Sequence, residues 1–164
     1  MTSGSKPYDR PGRLTVALPM NTYVVLLRGV NVGGKNIISM AALRSALEEM
    51  GFANVASYIA SGNLIVDTKR SAAATQKAIE GLLADKFGVG RDSARALVLT
   101  QADLEAVVKK KPRGFGASPD KFHSDAVFLI GIAPAAAMKV FKPLEGVDEV
   151  RPGPGVIYSQ RLSA

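Results

Sequence analysis

A chain of 164 residues with 47% apolar content is long enough for one domain or two small ones, and its lack of cysteine excludes disulfides, thiolate metal sites and a cysteine nucleophile. The net charge of +7 is spread out: residues 1–19 carry three basic side chains against one acidic, residues 20–100 nine against six, and residues 101–164 nine against seven. Nucleic-acid binders concentrate such an excess on one face, and no run approaches the roughly 18 apolar residues of a membrane span, so the composition points to a soluble, cytoplasmic protein.

Residues 1–19 are polar, rich in glycine and proline and without helical period. They read as a disordered extension, because the apolar stretch at 14–18 is too short for a secretory signal and Pro19 interrupts it. Residues 23–27 (YVVLL) form a short β-branched run, a buried strand. The stretch 41–50 places Leu43, Ala46, Leu47 and Met50 on one helical face, with Ser39 as N-cap and Gly51 closing it. Two strands follow at 55–59 and 64–67, joined by a turn through Ala60, Ser61, Gly62 and Asn63. A second helix at 71–87 turns Ala78, Ile79, Leu82, Leu83 and Phe87 inward, and 94–99 is a further strand. The order βαββαβ is that of a ferredoxin-like, split βαβ unit over residues 20–100.

Thr100 then caps a helix at 101–110, with Asp103 placed for a capping box, and a polar loop covers 111–124. The dense run KKKPR at 109–113 suits the negative end of that helix. From residue 125 the grammar restarts, with a strand at 125–130, a helix at 134–141 and a hairpin of 147–150 with 156–159. The expected architecture is therefore α+β, two ferredoxin-like halves in tandem. The second, 125–164, lacks its last helix and strand, and its uncovered sheet offers a route to oligomers.

The stretch "LLRGVNVGGKN" after the first strand satisfies G-x-x-x-x-G-K but puts Asn36 where a phosphate-binding P-loop needs Ser or Thr for magnesium. A looser anion site fits better, since glycine amides can converge on a ligand and basic neighbours add charge. In a βαββαβ sheet this loop and the hairpin turn leave from the same end. That gathers Arg28, Asn31, Gly33, Gly34, Lys35 and Asn36 with Ser61, Gly62 and Asn63, and Arg91 joins as a further candidate. The second copy makes the same connection with Ile132 and Ala133 alone, so the fold does not require the long polar loop. The expected ligand is a small anion or nucleotide, with a nucleic-acid-binding module or an assembly protein as alternatives. No metal pattern, catalytic motif or specific cofactor is legible, and His123 stands alone in a loop.

Residues 23–40, "YVVLLRGVNVGGKNIISM", followed by a short helix and "YIASGNLIV" at 58–66, resemble the bacterial family called domain of unknown function 1697. That family is marked by an "LLRGiNVGG.N.i.M" segment and a "Y..SGN" segment. Arg28, Gly29, Asn31, Val32, Gly33, Gly34, Asn36 and Met40 match the first, and Tyr58, Ser61, Gly62 and Asn63 the second. The resemblance implies two ferredoxin-like halves and no established activity. It also implies a C-terminal helix with an "RNWNT"-like motif, before which this sequence ends at Ala164.

Overall fold

The computed structural model describes residues 19–59 and 62–163, so the 1–19 extension (save Pro19) and Ser61 fall outside the described residues. The described chain is a mixed α+β fold with two antiparallel sheets and four helices. Strand β1 (Asn21–Arg28) alternates in burial, with Tyr23, Val25 and Leu27 inside, as a half-covered strand of period two should. Helix α1 (Met40–Glu49) starts where Ser39 Oγ accepts the Ala42 N–H at 3.3 Å and buries Leu43, Ala46 and Leu47. Gly51, at φ +84, lets the chain reverse into β2 (Ala53–Tyr58). A register shift between Ala53 and Ala56, with Asn54 at φ +49, bulges that strand.

Strand β3 (Asn63–Thr68), helix α2 (Ala72–Asp85) and strand β4 (Arg95–Leu99) complete the first sheet, in the order β2-β3-β1-β4. Both helices lie on the face of Val25, Leu64 and Val66, where Leu43, Leu47, Ile79 and Leu83 fill the core. Arg70 braces the far end, its guanidinium 4.7 Å above the Phe52 ring and bonded to the Met50 carbonyl at 2.9 Å.

Asp67 on β3 accepts hydrogen bonds from Thr22 Oγ1 at 2.6 Å and Asn54 Nδ2 at 2.7 Å. The Asn54 bond first, then the Thr22 bond, holds its carboxyl below the ordinary value of 3.8. A lowered folded pKa adds stability that is complete above the unfolded value and lost as the pH falls through the folded one. Asp67→Asn is therefore expected to lower the thermal midpoint at neutral pH. The gap to the native chain should close as the pH drops below 3.8.

Helix α3 (Gln101–Lys109) opens on the expected capping box: Thr100 and Asp103 bond each other's backbone at 2.8 and 3.2 Å. The second sheet has β5 (Phe122–Phe128), β6 (Asp148–Pro152) and β7 (Val156–Leu162) in the order β5-β7-β6. Strand β5 begins inside the segment expected to be a loop. Phe122 and Ser124 continue the alternation of Ala126 and Phe128, so His123 lies on a strand. Helix α4 (Pro134–Ala137) is a single turn, shorter than the expected 134–141. Ala133 gives no side-chain cap and only Ala137 is buried, so little packing sustains a longer helix.

Val107 of α3, Val156 and Tyr158 form a second core with Phe115, whose ring meets that of Tyr158 edge-on at 5.2 Å. The buried Tyr158 hydroxyl donates to the Val107 carbonyl at 2.6 Å, and burial raises its pKa. Tyr158→Phe orphans that carbonyl and should cost about 1–2 kcal/mol in urea unfolding.

Candidate functional site

The glycine-rich loop is a miniature hairpin. Gly33 and Gly34 hold φ +59 and +71, the signs a type I′ turn needs, and Lys35 N–H donates to the Val32 carbonyl at 3.1 Å. Below the tip, Asn31 N–H donates to the Asn36 carbonyl at 3.1 Å. The Asn31 side chain accepts from Ile38 N–H at 2.7 Å and donates to the Ile38 carbonyl at 3.0 Å. Asn36 Nδ2 reaches back to the Gly29 carbonyl at 2.7 Å. Both asparagines sit at positive φ, which their short side chains tolerate better than most. Their side chains thus brace the loop, while Val32, Gly33, Gly34, Lys35 and Ile37 are exposed.

The connection between β2 and β3 comes to the same end. Gly62 is buried against the end of β1, where its carbonyl accepts Leu27 N–H at 3.0 Å, and Asn63 is the register partner of Leu26. Ile59, entering this connection, holds φ +53, a strained conformation for a β-branched residue. The α2–β4 loop arrives as well: a Cβ on Gly29 would stand 3.0 Å from the Ser93 carbonyl oxygen. Arg91 of that loop is paired with Asp85 at 2.7 Å. Lys109, Lys110, Lys111 and Arg113 lie exposed at and beyond the C-terminal end of α3.

The sheet face turned away from α1 and α2 carries Val24, Leu26 and Arg28 of β1 beside Leu99, Leu97 and Arg95 of β4. Arg28 and Arg95 are direct cross-strand partners. Both are exposed, and neither side chain has a hydrogen bond or ion pair among the described residues. Phe128 and Ile130 line, with Leu26, Leu97 and Arg28, an open pocket of about 160 Å³. Leu26 also lines a groove of about 290 Å³ with Val24, Tyr58, Asn63, Leu64 and Ile65. An apolar strip therefore runs to a pair of like charges. Sequence reading missed Arg95. Its signal was the alternation Arg95, Leu97, Leu99 in a strand that starts where β1 ends.

Residues 20–158 match the family described as protein of unknown function (DUF1697), and the chain belongs to that family. A solved structure, that of the conserved bacterial protein SP0830 from Streptococcus pneumoniae, is similar in fold with a TM-score of 0.73 and 26% identity over 88% of this chain and 79% of that one. No curated protein matches the chain. No helix among the described residues is long and apolar enough to cross a membrane.

Proposed function

We propose that this DUF1697 chain binds a small ligand carrying an anionic group and an apolar body, a mononucleotide being the class that fits both parts. The observation that carries the reading is the Arg28–Arg95 pair. Like charges directly opposite in a ladder oppose folding, and no acidic side chain among the described residues offsets these two. An anion bridging both guanidinium groups supplies the missing charge with strong, directional hydrogen bonds. Leu26, Leu97 and Phe128 then offer the apolar surface for the rest of the ligand. Gly33, Gly34 and Lys35 at the hairpin tip, with Gly62 and Asn63 beside β1, border the same end. Asn31 and Asn36 hold the loop in shape, and Ser61 and Arg91 stay as flanking candidates.

The reading fits a wider one, that the sheets repeat a single ferredoxin-like plan over residues 20–100 and 125–164. In its support, β5, β6 and β7 take the places of β1, β2 and β3 in the order of the second sheet. Recognition of single-stranded nucleic acid is the weaker reading. Stacking platforms present several aromatics on the sheet, whereas this groove has one, Tyr58, among Val24, Leu26, Leu64 and Ile65.

Calorimetric titration with inorganic phosphate, mononucleotides and a short single-stranded RNA separates the two readings. A pocket predicts saturable one-to-one binding of a mononucleotide. Affinity only for RNA, falling steeply with log[salt], would transfer the function to a polyanion surface.

A further inference from the structure

Among the described residues strand β5 is an open edge of the second sheet: its one partner strand there is β7, whereas β1, its counterpart in sheet order, is flanked on both sides. The parity of its free backbone groups can be read from the ends of the ladder. Leu129 N–H donates to the Gly155 carbonyl and Ser163 N–H to the Lys121 carbonyl, so odd-numbered residues face β7. Even-numbered residues Ser124, Ala126 and Phe128 turn their backbone groups outward, while Phe122 N–H is held by the Ser118 carbonyl at 2.9 Å. The Ser124 hydroxyl is buried on this strand with no hydrogen-bond partner. That oxygen is covered by the chain itself, so a partner strand would meet Ser124 through its backbone groups.

We propose that this edge pairs with the same edge of a second copy, antiparallel and centred on Ser124. The axis can fall on any residue of the strand, but a centre on Asp125 sets that carboxylate opposite its own copy, and a centre on His123 spends the pairing on Phe122, whose N–H is already held. Only the Ser124 centre sets His123 opposite Asp125 of the other copy, twice over. A centre on Ala126 would set Asp125 opposite Val127 and His123 opposite Leu129. In the Ser124 register each Ser124 N–H meets the opposing Ser124 carbonyl and Ala126 N–H meets the Phe122 carbonyl. The two His123–Asp125 contacts fix the register, and the main-chain bonds provide the affinity. The net charge of +7 opposes association at long range, so added salt should favour the dimer.

The chain has no cysteine, so Ser124→Cys introduces its only thiol. Directly opposed residues of a hydrogen-bonded antiparallel pair lie about 5.5 Å apart at Cα, within the span of a disulfide. Under mild oxidation Ser124→Cys should give a covalent dimer, whereas Ala126→Cys, facing Phe122 across the axis, should not. By sedimentation the native chain should show a monomer–dimer equilibrium. Asp125→Lys should weaken it by about 5- to 30-fold, as the loss of two exposed polar contacts allows. His123→Glu combined with Asp125→Lys should restore it. A native chain that stays monomeric while Ser124→Cys fails to cross-link overturns the proposal. So does cross-linking of Ala126→Cys as fast as Ser124→Cys, or a double variant that dimerises no better than Asp125→Lys.

Discussion

Gly62→Ala is expected to destabilise the protein by about 2–4 kcal/mol, through overpacking and backbone strain acting together. A Cβ there would lie 2.6 Å from Val30 Cγ2 and 3.0 Å from Leu27 Cβ, both belonging to buried side chains that cannot move aside. The residue also holds φ +92, which alanine adopts only at a cost. Gly33→Ala is the control, since its φ of +59 carries the backbone cost with nothing within 4 Å of the added methyl. Its loss should be about 1 kcal/mol, the conformational part alone. Urea denaturation of the two variants separates packing from strain. Equal losses would mean that the β2–β3 connection does not press on the end of β1, and the gathered end of the sheet would lose its structural basis.

Arg95→Ala is expected to weaken mononucleotide binding about 10- to 100-fold, as does Arg28→Ala, because each removes charge-assisted bonds to the anion. The same substitutions should leave the thermal midpoint of the free protein unchanged or raise it slightly. Each removes one of two like charges that face each other across β1 and β4 and that no described acidic residue neutralises. A side chain kept for structure behaves the other way, losing stability when cut. If Arg95→Ala lowered the midpoint by several degrees and left affinity intact, the guanidinium would belong to the scaffold.

Much of this arrangement is legible in residues. The caps at Ser39 and Thr100 announce their helices because a hydroxyl before an apolar period satisfies backbone donors whatever the tertiary setting. The run 23–27 is short and apolar with two adjacent valines, which marks a strand. Three features resist such reading. The start of β5 before residue 125 is masked by the polar His123 and Ser124, until Phe122 and Ser124 are seen to continue the alternation of Ala126 and Phe128. The helix from Pro134 stops after one turn because burial, not alanine content, sustains a helix of that length. The loop asparagines look like ligand contacts in sequence, yet Asn31 and Asn36 close hydrogen bonds to Ile38 and Gly29 that no spacing rule reveals. Arg95 escapes for a different reason. Its partner lies on β1, far away in sequence, and only the strand register brings the two together.

The most direct test of the anion site follows the arginine side-chain Nε–H resonances of the native protein during titration with inorganic phosphate and then with a mononucleotide. Binding at the Arg28–Arg95 pair predicts that these two signals shift together and saturate at one equivalent of nucleotide, with the Arg91 signal unmoved beside Asp85. Saturable binding that leaves the Arg28 and Arg95 signals in place would contradict the assignment and move the site elsewhere on the molecule.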